Sequence, residues 1–332
     1  MIIRLAMALL ALFANETALA ERPAPSKMRL ADETTLGRPE PFDLEHEPKR
    51  MAVKIAFAKG GALVVIRRDG AIERWRLKDR TMTLLSASSG AVGVSADGGM
   101  LAIAHDKGQI IRQSAIGATR KPIGRLDGIE HVATSDEGVV AVSSGDHLIR
   151  LPRTERDMET TLPVRNGLAM APDGRYVAAA TGRYVSGSGH RGVVEAYGIE
   201  PATKRIFEME GTVLGMWQLH IVNGRLATTT QTDAKSGLIV WDLATGRPIF
   251  QRRGFESYWV RALSFDASGN RMLSGDERGW LRLWDVDADR LLLERREPMP
   301  VQSTAISEDR SLVAWGLWNA TVKVARVTSA SK

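Results

Sequence analysis

The chain has 332 residues, of which 44% are hydrophobic and 25% are charged, and its formal net charge is +6. This length allows a large core or an array of repeats, and the composition is ordinary for a soluble domain. Because the sequence contains no cysteine, it excludes disulfides, thiolate metal sites, cysteine nucleophiles and lipid attachment to an N-terminal cysteine.

Residues 1–20 have the pattern of a bacterial Sec-type signal peptide. Arg4 precedes a short apolar core, Leu5–Phe13, and small residues occupy the positions that signal peptidase recognises before Glu21. An uncleaved membrane anchor is the alternative, but this core is too short to span a bilayer as a permanent helix. We therefore expect cleavage between Ala20 and Glu21 and a periplasmic or secreted protein.

Export also bears on the positive charge of the chain. The charge favours either solubility or an anionic partner. Outside the cytoplasm, nucleic acid is not an expected partner, and we expect contact with a membrane to be peripheral at most.

Residues 21–50 contain five prolines among charged residues, which is the composition of a linker rather than of a packed core. Part of this segment, within residues 28–46, is expected to add a strand to the end of the fold. The folded domain is expected to occupy residues 51–327, and residues 328–332 are a tail.

Trp259–Glu294 shows the repeating unit most clearly. Four short apolar or alternating runs are separated by turn clusters such as D-A-S-G-N and D-E-R-G. This pattern is typical of four strands joined by hairpins into one antiparallel sheet. Such a sheet cannot bury both of its faces alone, so it needs neighbours of the same kind.

The same pattern recurs along the chain from Met51. The first strongly apolar residues of the second strands are spaced by 38, 39, 37, 50, 46 and 40 residues, and they are Ala62, Met100, Val139, Tyr176, Leu226, Met272 and Leu312. A period near 40 residues with internal turns is a propeller period. The sequence therefore predicts an all-β, seven-bladed β-propeller of four-stranded antiparallel blades, preceded by the signal peptide and the Pro-rich linker.

Two copies carry a Trp-Asp dipeptide at the end of the third strand, at Trp241-Asp242 and Trp284-Asp285. In these residues the chain resembles the WD-repeat β-propellers. It departs from that family because no copy has the Gly-His pair before the first strand. The resemblance implies a ring that is closed by a strand borrowed from the other end of the chain, and it implies partner binding at the face that carries the loops before the first strands and between the second and third strands.

We expect the partner surface where aromatic and basic residues cluster in those loops. Trp, Tyr and Arg are the residue types that carry interface energy when they cluster. The candidate partner-binding residues are Trp217, Tyr258, Trp259, Arg261, His131 and Arg165.

Other motifs do not predict catalysis or a cofactor. Gly187–Gly192 matches G-x-G-x-x-G, but an alternating strand-like run follows it instead of a helix, so we interpret it as a long loop between two strands. His105 and His131 could meet on one face of a propeller, but exposed or structural histidines are the expected interpretation. We expect no metal, no cofactor and no catalytic residues.

The sequence-based hypothesis is an exported, non-catalytic scaffold that binds a protein or peptide of the cell envelope. One alternative is a hydrolase or lactonase that uses the central channel. Another is an assembly or sensor protein of the envelope, which rests on analogy of fold and compartment alone.

Overall fold

The protein is described from a computed structural model. The described residues are 28–40, 48–115, 117, 119–144, 147–151, 158–159, 164–185, 189–198, 203–209, 218–231, 236–255 and 259–329. The predicted signal peptide and the first part of the predicted linker lie outside these ranges.

Almost all regular structure in the described ranges is β-strand. The strands are β1 (Met28–Leu36), β2 (Ala52–Ala58), β3 (Ala62–Arg67), β4 (Ala71–Arg76), β5 (Thr81–Ala87), β6 (Val92–Val94), β7 (Met100–Ala104), β8 (Gln109–Ser114), β9 (Arg120–Arg125), β10 (His131–Thr134), β11 (Val140–Ser144), β12 (His147–Leu151), β13 (Met158–Glu159), β14 (Val164–Met170), β15 (Tyr176–Val185), β16 (Gly189–Gly198), β17 (Thr203–Met209), β18 (Leu219–Val222), β19 (Arg225–Gln231), β20 (Ser236–Asp242), β21 (Pro248–Phe255), β22 (Val260–Phe265), β23 (Arg271–Asp276), β24 (Trp280–Asp285), β25 (Arg290–Arg296), β26 (Val301–Ile306), β27 (Leu312–Leu317) and β28 (Val322–Ser329). A single turn of 3-10 helix, Asp106–Gly108, lies between β7 and β8. Among the described residues, no helix is both long and apolar enough to cross a membrane.

The described strands form seven four-stranded antiparallel sheets. In chain order, blade one is β2–β5, blade two β6–β9, blade three β10–β13, blade four β14–β17, blade five β18–β21 and blade six β22–β25. Blade seven is β26–β28 with β1 as its outer strand. The prediction of an all-β propeller of four-stranded antiparallel blades is confirmed, and each second strand begins within one residue of its predicted position.

The ring is closed by pairing between the two ends of the described chain. Strand β1 runs antiparallel to β28, with Met28 opposite Ser329 and Leu36 opposite Val322. The Glu33 carboxylate contacts Lys323 Nζ on β28 at 2.9 Å and also Arg295 on β25 of blade six. The outer strand is therefore joined by ion pairs both to its own blade and to the preceding one.

The hydrophobic core is divided among the interfaces between blades. Each cluster of buried apolar side chains in the described residues is shared by two successive blades. The cluster that completes the circle joins Leu36, Val322 and Val324 of blade seven to Ile55 and Leu63 of blade one. Each sheet thus buries both faces against its neighbours, as the repeat pattern requires.

The tryptophans of the two Trp-Asp dipeptides hold their third strands by side-chain hydrogen bonds. The Trp284 indole donates to Ser274 Oγ at 2.9 Å, and the Trp241 indole donates to Thr228 Oγ1 at 3.2 Å. In blade one, the Trp75 indole donates instead to Glu73 at 2.8 Å. In each of these three blades, a tryptophan of the third strand is thus hydrogen-bonded to a side chain of its own sheet, even though the Gly-His pair is missing.

The interpretation of Gly187–Gly192 as a loop is wrong for most of the segment. Strands β15 and β16 are each ten residues long, and Gly189–Gly192 belongs to β16. Gly182 and Gly192 lie opposite one another in the part of this hairpin that extends beyond the length of the other blades. The motif continues into a strand instead of a helix, so it lacks the helix N-terminus that dinucleotide binding requires.

Candidate functional site

The end of the ring where the inner strands begin is called the upper face. It carries the loops that precede the inner strands and the turns between second and third strands. In blade six the turn at Gly279 has φ +85°, and its carbonyl accepts a hydrogen bond from Glu297 N at 2.8 Å. A Cβ at Gly279 would lie 2.3 Å from the Glu297 carbonyl oxygen. Only glycine allows these two loops to pack so closely.

Three side chains of blades six and seven form a stack on the upper face. The Arg261 guanidinium lies 4.6 Å from the ring centre of Trp259 and 4.8 Å from that of Trp318. All three side chains are half-buried. A cation held over two indole rings is stabilised by about 0.5–1 kcal/mol per ring at an exposed site and by more when it is desolvated.

Backbone geometry places the stack. The pairing of β22 with β23 shifts register between Val260 and Ala262, so Arg261 stands at a bulge. A bulge redirects the side chain of the extra residue. Trp259 and Trp318 are fixed by backbone hydrogen bonds: Glu277 N donates to the Trp259 carbonyl at 3.1 Å, and Trp318 N donates to the Pro300 carbonyl at 3.0 Å.

The charge of the stack is weakly compensated. Burial lowers the pKa of the Arg261 guanidinium, and the nearby Glu277 carboxylate opposes that change. Arginine nevertheless remains charged at any physiological pH. Arg261 Nε is buried and has no hydrogen-bond partner within the described chain. The upper face therefore presents a rigid cation between two aromatic rings.

Among the residues that the structure describes, two of the predicted partner-binding residues lie together. Trp259 and Arg261 form the stack, and Trp318 of the next blade completes it. His131 lies instead on β10 of blade three and lines the central channel. Arg165 lies on β14 of blade four. Trp217 and Tyr258 lie outside the described residues.

His131 stands at the start of an inner strand. It is the first residue of β10, where it pairs with Ser143 of β11. The same position makes it part of the channel lining, together with the neighbouring Glu130.

A central channel of about 500 Å³ is lined by inner-strand residues from every blade. Its polar lining includes Lys54, His131, Gln218, His220 and Gln302. Burial lowers the pKa of His220 to about 4, although a hydrogen bond with the Leu263 backbone opposes this change, so its imidazole is neutral at pH 7. Within the described ranges, no group of three or more His, Asp or Glu side chains is arranged to hold a metal ion.

Lys54 is the feature of the channel that sequence reasoning missed. It lies on β2, and its ammonium donates a hydrogen bond to the Val92 carbonyl of blade two at 3.1 Å. The signal was present in the sequence, because one lysine interrupts the apolar run A-V-K-I-A-F-A of an inner strand.

Comparison with known proteins agrees with this geometry. Residues 246–285 match the family described as WD domain, G-beta repeat. The match spans the outer strand of blade five and the first three strands of blade six, including the Trp284-Asp285 dipeptide. No curated protein sequence is significantly similar to the chain.

Solved structures share the fold at low sequence identity. A chain of the mitotic checkpoint complex is 15% identical, with a TM-score of 0.65 over 88% of this chain and 93% of that one. A chain of Kuenenia stuttgartiensis hydrazine synthase is 13% identical, with a TM-score of 0.65 over 87% of this chain and 100% of that one. The protein is therefore a β-propeller that carries a WD repeat, and the predicted resemblance to the WD-repeat propellers is confirmed.

Proposed function

We propose that this propeller is an exported, non-catalytic scaffold that binds a protein or peptide of the cell envelope through its upper face. The observation that carries the proposal is the stack of Arg261 between Trp259 and Trp318. Aromatic and arginine side chains that are already held in place lose little conformational freedom when a partner binds.

The chemistry of the stack favours a particular kind of contact. Arg261 supplies charge and hydrogen-bond donors, and the indole rings supply flat apolar surface. A partner segment with an acidic side chain beside an apolar one would match both. Propellers with WD repeats commonly bind proteins, and the WD repeat of this chain therefore supports binding rather than catalysis. Because a structurally similar propeller belongs to a hydrazine synthase, enzymatic activity should be tested as well.

Export rests on residues 1–20 and is tested separately. The prediction is that protein recovered from the periplasmic or extracellular fraction of its native cells begins at Glu21. Recovery of the intact N-terminus, Met1 included, in a cytoplasmic fraction would contradict export.

Partner binding is tested by a crosslinking pull-down from an envelope extract. The baits are the wild type, Trp259→Ala, Trp318→Ala and the matched control Leu84→Ala, which removes a side chain that is 58% exposed on the outer strand of blade one. The wild type and the control should recover the same partner, and the tryptophan variants should recover on the order of tenfold less. Equal recovery by all four folded proteins, or no recovery by the wild type, would contradict the proposal.

A further inference from the structure

The central channel contains a cation that the described chain does not neutralise. Lys54 Nζ has the Val92 carbonyl as its hydrogen-bond partner, and no carboxylate of the described residues lies within ion-pair distance of it. An ammonium group has three donors, so two remain for other partners. Solvent reaches the side chain from the channel, yet the surrounding walls remove enough hydration to lower the pKa of the amine.

The other charged groups of the lining are already accounted for. Arg67 is buried in an ion pair with Glu73 at 2.9 Å, and Arg68 is an exposed residue at the upper rim. Glu130 is the acidic residue of the described lining, and it is exposed where blade three begins. Near Lys54, the channel therefore has an excess of positive charge.

A second polar group of the same cavity also has unused hydrogen-bonding capacity. Gln302 Oε1, at the bulge that begins the inner strand of blade seven, is buried and has no hydrogen-bond partner in the described chain. Blades seven and one are directly joined here, because Ser303 Oγ donates to the Ala52 carbonyl at 2.8 Å. The neighbouring inner strands β2 and β26 thus supply a donor, the Lys54 ammonium, and an acceptor, Gln302 Oε1, whose hydrogen-bonding capacity the described chain does not fully use.

We infer that the channel binds a small organic monocarboxylate, whose carboxylate pairs with Lys54. The volume of about 500 Å³ is in the range of small-molecule sites. Apolar residues of the lining, among them Phe57, Leu219 and Phe265, suit an organic body. A single ammonium balances one negative charge, whereas a phosphate group would bring about two charges into an enclosed space with one cation. This inference is independent of the upper face.

The test uses the purified protein with benzoate as the probe, benzamide as its uncharged match and inorganic phosphate as the competing anion. Lysine side chains are labelled with ¹³C at Cε, which leaves their N–H donors intact, and the Lys54 signal is assigned by its loss in Lys54→Met and, independently, in Lys54→Arg. Bound benzoate should shift that signal and raise the pKa of the Lys54 amine, because a paired carboxylate favours the charged form. Benzamide should do neither, and phosphate should bind more weakly than benzoate.

The variant gives the complementary result by calorimetry. Lys54→Met should weaken benzoate binding by on the order of tenfold or more, and Lys78→Met, which removes the same charge from an exposed turn of blade one, should leave it unchanged. If Lys54→Met does not fold, the titration of the wild type, with the Lys54 signal assigned through Lys54→Arg, still decides. Equal shifts with benzamide, stronger binding of phosphate, no response to benzoate, or unchanged binding in folded Lys54→Met would each overturn the inference.

Discussion

At the scale of single residues, a buried ion pair in blade one helps to hold the ring together. The Arg67 guanidinium contacts Glu73 Oε2 and donates to the Ala320 carbonyl of blade seven at 2.7 Å. Burial acts to raise the pKa of Glu73, but the hydrogen bonds and charge of Arg67 outweigh it, so the pKa is lowered. One ion pair thus stabilises the sheet of blade one and its contact with the last blade.

Removing one partner of that pair should be costly. Arg67→Met leaves the Glu73 carboxylate buried with less compensation, and we expect the free energy of unfolding to fall by about 3–5 kcal/mol. Arg68→Met, at the exposed neighbouring position, should change it by less than about 1 kcal/mol. Urea denaturation of both variants measures the difference, and equal stabilities would contradict the role of the pair.

A second residue-scale effect depends on pH. Asp136 of blade three accepts a hydrogen bond from Asp97 N of blade two at 3.0 Å. Burial, with the Asp97 carboxylate as a further cause, raises the pKa of Asp136 to about 6. Because the folded state holds this proton more tightly than the unfolded state, stability is lost as the pH rises from about 4 through 6.

Asp136→Asn keeps the acceptor for Asp97 N and removes the charge. We expect the variant to match the wild type below pH 4 and to be more stable by about 1 kcal/mol above pH 6, a value reduced for solvent screening of this half-exposed group. Thermal unfolding from pH 3.5 to 8 measures this. A constant difference across that range would show that Asp136 does not titrate as described.

At the scale of elements, the sequence predicted the strands better than the site. Turn residues such as Gly98, Gly138 and Gly269 have positive φ, so their positions located the hairpins and the second strands. The stack was harder to foresee, because Trp259 and Arg261 are close in sequence but Trp318 arrives from the next blade. Lys54 was missed because the orientation of an inner-strand side chain depends on the ring as a whole.

The closing strand β1 is the element most distant in sequence from its partner. Leu36 is 1% exposed and packs in the cluster shared by blades seven and one. Leu36→Ala should lower the free energy of unfolding by about 2–4 kcal/mol through lost burial and a cavity. Thr35→Ala, at the adjacent exposed position, should cost less than about 1 kcal/mol. If calorimetric unfolding gave both variants the wild-type stability, β1 would not be what closes the ring.

At the scale of the whole molecule, the ring separates the two proposed recognition surfaces. The stack lies at the upper face of blades six and seven, and Lys54 lies inside the channel on blade one. Inner strands of different blades position them: Arg261 stands at the bulge of β22, and Gln302 stands at the corresponding bulge of β26. Because the seven sheets form a closed ring, these side chains are held in fixed positions even though only one WD repeat is recognisable in the sequence.

The most direct test of the scaffold is site-specific photo-crosslinking in living cells. A photoreactive amino acid is placed at Arg278, an exposed turn residue next to the stack, or at Leu84 on the outer strand of blade one. The account predicts a discrete adduct from position 278, no adduct from position 84, and loss of the first when Trp259→Ala and Trp318→Ala are added. The same adducts from both positions, or an adduct at 278 that survives loss of both indoles, would contradict it.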